Sequence, residues 1–336
     1  MYIDWVHDYM PRFFGCLACI VNPLFVYLVF KEKASTFGNY RFLLLYFATF
    51  NVLYSIFDIL VPIELKGYRF CFFVFLVDGP FYDSSPLNHF MLTARCSMVA
   101  CSYAVLISHF IYRYLIMKGS EYTEEKFPQF MLSSFALCLV YFAIWSGTCE
   151  WLTSQVQEVD YVKEDFLEYY GENVTNVNII YIIYNESSFK NIMASWTSIL
   201  FFVSASTVSV VLYVYLGYQI MTTINSITST MSVGTAKMQK QLLKTLIVQT
   251  VIPICISYLP CFLSWFSPAF NVDLGRTFNH FGVVTFSAFP FLDPVAIVCC
   301  LPVLRKRLIG LFRDPRTAQS VAVSTTQTSL VATSAV

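Results

Sequence analysis

Hydrophobic residues in this 336-residue chain are gathered into long continuous runs separated by short polar segments. The runs cover residues 13–30, 42–63, 87–117, 130–148, 192–221, 242–266 and 278–301. Each is close to or above the roughly 20 apolar residues that a bilayer-spanning helix needs. None shows the alternation that marks a membrane β-barrel. The pattern therefore predicts an all-α membrane protein, a bundle of seven transmembrane helices over residues 13–301.

The segments outside these runs complete the predicted organisation. Residues 1–12 are expected to form a short extracellular N-terminus, because the first run lacks the basic flank and cleavage site of a secretory signal. Residues 70–77 are apolar but too short to span, and we interpret them as a hairpin or cap in the loop between the second and third helices. Residues 302–336 are predicted to form a cytoplasmic tail. It is expected to be mostly disordered, because 317–336 is rich in Ser, Thr, Ala and Val and cannot bury a core.

Composition supports a membrane protein. Hydrophobic residues make up 57% of the chain and charged residues only 12%, against about 25% charged in an ordinary soluble domain. Net charge is zero and there is no basic block, which argues against a nucleic-acid-binding or disordered protein.

The distribution of Lys and Arg predicts the orientation of the bundle. Fourteen of the 21 basic residues flank the runs on one side and six on the other, while Arg95 lies inside a run. Because basic residues concentrate in cytoplasmic loops, we expect the N-terminus outside and the C-terminus inside. The longest loop, 149–191, falls on the outer side and contains two glycosylation sequons, at Asn173 and Asn185.

Three ionisable residues lie within the predicted membrane interior: Asp58, Arg95 and Asp293. Such residues usually face the interior of the bundle. Asp58 and Arg95 lie at similar depth in neighbouring helices, so they can form a structural ion pair that sets helix register. Alternatively, Arg95 lines a ligand pocket. The candidate ligand-binding residues are accordingly Arg95, Asp58 and His89.

Two further features of the helices bear on signalling. Arg95 and Arg113 are 18 residues apart, which is five turns at 3.6 residues per turn, so they share one face of the third helix. Pro253 and Pro260 are expected to kink the sixth helix and provide a hinge, although a static kink would have the same pattern.

Cysteine and histidine chemistry adds little. The four histidines have no metal-ligand spacing, so no metal or cofactor is predicted. Most of the 11 cysteines lie in apolar helices. Cys71 and Cys149 are predicted outside, where a disulfide can form. Cys299 and Cys300 precede a basic segment, which suits palmitoylation.

Several short segments together resemble nematode seven-transmembrane chemoreceptors of the Str (serpentine receptor) group. They are NPLFVYL at 22–28, GNYRFLL at 38–44, YSIFD at 54–58, HFIYRY at 109–114, the spaced Pro253 and Pro260 after Gln249, and FLDP at 291–294. The resemblance covers nearly the whole chain, with each segment in the expected helix.

The resemblance implies a G-protein-coupled receptor of a sensory neuron, located in the plasma membrane and often in cilia. By analogy, Tyr112 and Arg113 would couple to the G protein, but the acidic neighbour found in many receptors is missing. Asp293 and Pro294 match the helix-seven motif, in which many receptors have Asn-Pro or Asp-Pro followed by a tyrosine three residues later. Here Ile297 stands at the position of that tyrosine. A stripe of Lys237, Lys240 and Lys244 would line, together with Arg113, the cytoplasmic cleft that receives the G protein.

The sequence thus favours an olfactory-type receptor that binds a small, odorant-like molecule within a mostly apolar bundle and activates a heterotrimeric G protein. Membrane lipids, and a kinase or arrestin at the tail, are further expected partners. A ligand-gated channel or a small-molecule transporter is the alternative. The sequence shows no cluster of catalytic residues, so an enzyme is not predicted.

Overall fold

The computed structural model describes residues 5–33, 37–156, 159–227 and 233–312. Its α-helices are α1 (Trp5–Lys31), α2 (Tyr40–Leu60), α3 (Pro86–Met117), α4 (Phe127–Gln155), α5 (Val159–Tyr170), α6 (Phe189–Ile227), α7 (Val233–Pro253), α8 (Leu259–Phe266), α9 (Gly275–Cys300) and α10 (Pro302–Phe312). The strands are β1 (Ile63–Tyr68), β2 (Cys71–Leu76) and β3 (Ile179–Ile183). The predicted disordered segment 317–336 lies outside the described residues.

Seven helical segments in the described part of the chain are long and apolar enough to cross a membrane, which confirms the predicted bundle. They are α1 to α4, α6, the α7–α8 segment and α9. Within the predicted N-terminal segment 1–12, α1 already begins at Trp5. α3 and α6 have 32 and 39 residues. Their ends therefore extend beyond the bilayer thickness, as predicted for the third helix.

The third helix lies at the centre of the bundle. Its most apolar 18-residue window is 78% buried, whereas the corresponding window of α4 is only 22% buried. α3 packs against α4 and α6 and also contacts α2 and α7. Arg95 and Arg113 therefore both lie on a helix that contacts four other spanning segments.

A three-stranded antiparallel sheet closes one end of the bundle. β1 and β2 form a hairpin in which Ile63 pairs with Leu76 and Tyr68 with Cys71, and β3 pairs with the other edge of β2. Aromatic and β-branched residues dominate β2 and β3, which is the composition that favours strands. The apolar segment 70–77, interpreted as a hairpin or cap, thus provides β2, the central strand of the sheet and one arm of the hairpin.

The sheet is covered on both faces. All six residues of β2 are buried, since the helix bundle lies on one side and α5 on the other. The rings of Phe166 and Tyr170 on α5 are 5.1 and 5.0 Å from the ring of Phe75. We call β1–β3 together with α5 the cap, and this end of the bundle the cap end. The opposite end, where α9 leads into α10, is the tail end.

Polar contacts also attach the cap. Lys66 Nζ lies 2.5 Å from Asp165 Oδ2 of α5. Tyr170 donates a hydrogen bond of 3.0 Å to Glu64 Oε1, which also lies 3.4 Å from His280 Nε2 on α9. These contacts join the sheet, α5 and the last spanning helix.

The predicted proline kink coincides with a change of helix type. α7 ends at Pro253, residues Ile254–Tyr258 form a π-helical turn, and α8 begins at Leu259, one residue before Pro260. Proline cannot donate the backbone hydrogen bond that an α-helix requires, and π-turns are common where helices bend. The sixth span is therefore interrupted at the predicted place.

The two cysteines considered for a disulfide are free thiols in the structure. Cys71 is on β2 and Cys149 is near the end of α4, and both are buried. Burial raises the pKa of the Cys71 thiol. Packing of the cap against the bundle, without a disulfide, holds these elements together.

Candidate functional site

At the cap end, α2 and α3 are joined by an ion pair between Asp58 Oδ1 and Arg95 Nη2. Arg95 is 1% exposed and Asp58 4%. The ring of Tyr54, one turn before Asp58, lies 4.7 Å from Arg95 Cζ. The pairing expected from their similar depth is therefore formed. Removing either partner would leave an uncompensated buried charge.

The ion pair leaves hydrogen-bonding capacity unused. Nε and Nη1 of Arg95 and Oδ2 of Asp58 are buried without a hydrogen-bond partner. Most buried polar atoms in proteins are hydrogen-bonded, because an unpartnered one costs about 1–3 kcal/mol. The guanidinium of Arg95 can therefore donate to a further acceptor while it remains paired with Asp58.

Aromatic side chains form a layer at the same end of the bundle. Trp145 of α4 stacks on Phe202 of α6 at 4.4 Å, and Trp265 of α8 lies 6.0 Å from Phe202. The hydroxyl of Ser264, next to Trp265, is buried and has no partner. The residues Asp58, Arg95, Trp145, Phe202, Ser264 and Trp265 are hereafter the cap-end cluster.

The cap-end cluster is covered by the cap. Trp145 and Phe202 belong to the same continuous hydrophobic core as the strands of the sheet. Tyr184, just after β3, donates a hydrogen bond of 2.6 Å to the carbonyl of Trp265. The ion pair and the aromatic layer thus lie at the same end of the bundle, and their residues come from α2, α3, α4, α6 and α8.

His89, the third predicted ligand-binding residue, lies apart from the ion pair, near the start of α3. Its Nε2 is 3.8 Å from Glu150 Oε2 of α4. Thr93 donates a hydrogen bond of 2.9 Å to the other oxygen of Glu150. The structure therefore places His89 in a contact between α3 and α4.

At the tail end, Arg113 is held without a carboxylate. Its Cζ lies 3.7 Å from the ring of Tyr40 on α2, and its Nη1 donates to Gln239 Oε1 of α7 at 3.4 Å. Tyr40 is in turn bonded to His109 Nδ1 at 3.0 Å and stacks with Tyr112 at 5.5 Å. Arg113 is thus contacted by an aromatic ring and an amide.

The remaining tail-end candidates lie near Arg113. Lys237, Lys240 and Lys244 are exposed on α7, on either side of the half-buried Gln239. Nε and Nη2 of Arg113 are buried without a partner. The structure therefore brings Tyr112, Arg113 and the lysine stripe to the same end of the bundle.

The helix-seven motif forms part of a polar contact in the middle of the bundle. Asn22 of α1 donates to the carbonyl of Pro290 at 3.0 Å, and Asn51 of α2 donates to Asn22 Oδ1 at 3.3 Å. Pro294 has no N–H to donate to the Pro290 carbonyl four residues earlier. Asn22 supplies the missing donor. Asp293 is buried, and its Oδ1 has no partner.

The predicted modification sites are at opposite ends. Asn173 and Asn185 are exposed and flank β3 at the cap end. Cys299 is exposed and Cys300 half-buried at the end of α9. Among the described residues, no three His, Cys, Asp or Glu side chains are grouped to hold a metal ion.

Sequence reasoning missed several residues that the structure brings into these sites. Trp145, Phe202 and Trp265 are aromatic residues among many, and nothing in their spacing relates α4, α6 and α8. Tyr40 and His109 lie in segments that carried the family resemblance, but no spacing rule links them to Arg113. Gln239 lies within the lysine stripe, and nothing in the sequence distinguishes this neutral residue as a partner of Arg113.

Comparison with known proteins agrees with this architecture. Residues 1–308 match the family described as "Serpentine type 7TM GPCR chemoreceptor Srj". "Serpentine receptor class J-38" of Caenorhabditis elegans is 40% identical over 316 residues, which is 94% of this chain and 96% of the relative. "Serpentine receptor class r-10" of the same species is 25% identical and covers 89% of each chain.

The comparisons correct the resemblance to the Str group. "G-protein coupled receptor str-33" of Caenorhabditis elegans is only 21% identical, although the match covers 91% of this chain. Related serpentine receptors thus align over nearly the same length, so short shared motifs do not distinguish the groups. The chain belongs to the Srj family of serpentine seven-transmembrane G-protein-coupled chemoreceptors.

Proposed function

We propose that this chemoreceptor binds a small environmental molecule at the cap-end cluster and activates a heterotrimeric G protein at the tail end. In this proposal the N-terminus is outside and the tail end faces the cytoplasm. The excess of Lys and Arg at the tail end and the two sequons at the cap end support that orientation. A sensory-neuron plasma membrane, and its cilium in particular, is the expected location from the family resemblance.

The observation that carries the ligand site is the guanidinium of Arg95. It is fully enclosed, yet two of its nitrogen atoms have no hydrogen-bond partner. The aromatic rings of Trp145, Phe202 and Trp265 supply apolar surface from three other helices. Such a site suits a mainly apolar molecule with one acceptor group, such as a carbonyl or carboxylate, that receives hydrogen bonds from Arg95.

The signalling step would use the interrupted sixth span. A ligand that binds two helix arrangements with different affinity shifts their populations. Trp265 and Ser264 lie on α8, above the π-turn, whereas Gln239 lies below it on α7. Movement about the turn would separate Gln239 from Arg113 and expose Tyr112, Arg113 and the stripe of Lys237, Lys240 and Lys244 to the G protein.

Accessory features fit a receptor of this kind. Glycans at Asn173 and Asn185 would lie outside, palmitoyl groups at Cys299 and Cys300 would enter the inner leaflet, and a kinase or arrestin would act on the hydroxyl-rich tail. The bundle also contacts membrane lipids through its exposed apolar faces. No observation specifically favours the channel or the transporter.

The proposal can be tested by screening G-protein activation with a panel of small molecules in cells that express the chain. The first active compound is then applied to the double variant Asp58→Asn/Arg95→Gln, which removes the charges without stranding one of them. We expect potency to fall about 10- to 100-fold, since a hydrogen bond to a charged group contributes about 1.5–3 kcal/mol. The parallel variant Arg113→Gln should reduce the maximal response.

The matched control is Arg69→Gln/Glu186→Gln, because that pair is also at the cap end but exposed, with a 2.8 Å contact. The potency of the compound on this control should stay within about twofold of its potency on the unmodified chain. Surface levels are measured for every variant. Unchanged potency in Asp58→Asn/Arg95→Gln at normal surface level would reduce the pair to a structural role. A ligand-dependent current that persists with G proteins blocked would favour the channel.

A further inference from the structure

A basic cleft lies at the tail end, between the last turn of α1 and the short helix α10. Its lining residues are Lys31, Glu32, Val303, Lys306, Arg307, Gly310 and Leu311. The cleft encloses about 490 Å³, within the range of about 300–1,000 Å³ typical of small-molecule sites. It shares no lining residue with the cap-end cluster or with the surroundings of Arg113.

The charges in the cleft leave two lysines available. Arg307 Nε donates to Glu32 Oε1 at 2.8 Å, and Arg307 Nη2 lies 3.4 Å from the carbonyl oxygen of Lys31. The carboxylate of Glu32 is therefore neutralised within the protein, and the pair holds α10 against α1. Lys31 Nζ lies over the ring of Tyr27 at 5.4 Å, and neither Lys31 nor Lys306 has a carboxylate partner among the described residues. One cation thus comes from each of two helices.

The position of α10 places this cleft at a membrane surface. α10 begins at Pro302, directly after the spanning helix α9 ends at Cys300. Leu304 is fully buried against the bundle, whereas Ile309 and Leu311 are 48% and 46% exposed. A short helix with basic residues and exposed apolar residues is suited to the boundary between headgroups and acyl chains. Leu311 lines the cleft itself.

We propose that this cleft binds the multiply phosphorylated headgroup of an anionic inositol phospholipid. Lys31 and Lys306 contact its phosphates from the two sides, while Leu311, which lines the cleft, contacts its acyl chains. Cations from two helices match a headgroup with phosphates at more than one position better than a single phosphate. Lipids of this class occupy the cytoplasmic leaflet, so the assignment rests on the proposed orientation of the receptor.

The test uses the purified full chain in phosphatidylcholine nanodiscs that contain a few mole per cent of phosphatidylinositol bisphosphate. Retained lipid is measured by native mass spectrometry. Both leaflets of a nanodisc carry the lipid, so the result does not depend on the orientation or on any signalling ligand. We expect Lys31→Gln/Lys306→Gln to weaken binding about 10- to 30-fold, which corresponds to the loss of two cations near a membrane surface.

The control is Lys118→Gln/Lys126→Gln, which removes the same charge from two exposed lysines of another tail-end segment. Its binding should remain within about twofold of the unmodified chain. A second variant, Gly310→Phe, fills the cleft without changing its charge. A Cβ at Gly310 meets no atom within 4 Å, so the backbone there has room for a side chain, and this variant should also lose binding. Monodisperse elution is required of each variant.

Three results would overturn the assignment. Equal binding by Lys31→Gln/Lys306→Gln and the unmodified chain would remove the cleft as the site. An equal loss of lipid binding in Lys118→Gln/Lys126→Gln would show that the lipid is attracted by the general positive charge of the tail end and not by the cleft. Equal retention of phosphatidylserine would exclude selectivity for a multiply phosphorylated headgroup.

Discussion

At the residue scale, proline chemistry accounts for the polar contact between α1 and α9. Pro294 cannot donate to the carbonyl of Pro290, which would remain unpaired inside the bundle. The Asn22 side chain, 0% exposed, donates to that carbonyl and accepts from Asn51. One asparagine thus satisfies a backbone group on another helix and links three spanning segments.

Asn22→Ala should therefore destabilise the bundle by about 1–3 kcal/mol, because it strands the Pro290 carbonyl and the Asn51 amide. The measurement is the thermal unfolding midpoint in detergent, with Asn176→Ala as the control for an exposed asparagine. In a Pro294→Ala background, residue 294 regains an N–H for the Pro290 carbonyl. The Asn22→Ala loss should then shrink, and an equal loss in both backgrounds would contradict this account.

The arginine contacts show the same dependence on individual partners. Arg95 is paired with a carboxylate, whereas Arg113 rests on the ring of Tyr40 and bonds to Gln239. A buried guanidinium gains up to about 2 kcal/mol from an aromatic face. An arginine without an acidic neighbour in the sequence is therefore not without a partner in the fold.

At the element scale, the cap depends on α5 as much as on its own hydrogen bonds. β2 is buried on both faces, and Phe166 contacts Phe73 and Phe75 at ring distances of 6.4 and 5.1 Å. An isolated hairpin is marginally stable in water. The third strand and α5, both from the loop 149–191, provide the packing that a two-stranded hairpin lacks.

Phe166→Ala should loosen the cap, since truncation of a buried phenylalanine costs about 3–5 kcal/mol. Cys71 reports on this change. It is buried and its pKa is raised, so it should react slowly with a membrane-impermeant thiol reagent. We expect labelling of Cys71 to become more than about tenfold faster in Phe166→Ala, and this increase to be absent in Phe166→Ala/Cys71→Ser.

The matched control is Phe189→Ala, because that phenylalanine is 80% exposed at the same end. It should leave the labelling rate unchanged. Fast labelling of Cys71 in the unmodified chain would show that the cap opens without any change in its packing.

At the scale of the whole molecule, the two ends of the bundle differ in chemistry. The cap end carries the acidic loop and its sequons, and the tail end carries most of the basic residues. The central helix α3 joins the two, with Arg95 near one end and Arg113 near the other. Such an arrangement is suited to a receptor whose ligand and G protein bind on opposite sides of a membrane.

Glycosylation provides a test of the orientation. Asn173→Gln and Asn185→Gln should each remove one mobility step that is sensitive to peptide N-glycosidase, because both side chains are exposed at the cap end. A sequon engineered by Lys126→Asn/Pro128→Ser at the tail end should acquire no glycan. Glycosylation of the engineered site alone would reverse the proposed orientation.

The amount that could be predicted differed between the levels of structure. The spans, the failure of 70–77 to span the membrane and the irregularity near Pro253 follow from hydrophobic length and backbone chemistry, which are local properties of the chain. The ion pair of Asp58 and Arg95 could be anticipated because equal depth in adjacent helices restricts the choice of partner. The disulfide of Cys71 and Cys149 could not be judged, since it depends on distances across the cap.

The sequence by itself determined the class of protein, the seven helices, the asymmetry of charge, the position of Arg95 within the membrane interior and the helix face that it shares with Arg113. These follow from the cost of placing polar groups in an apolar phase. Only the tertiary structure decided which side chains meet: Tyr40 and Gln239 around Arg113, Asn22 at Pro290, the aromatic layer at the cap end, and the cleft between α1 and α10. Those contacts depend on how the helices rotate and pack against one another, and helical periodicity alone does not specify this.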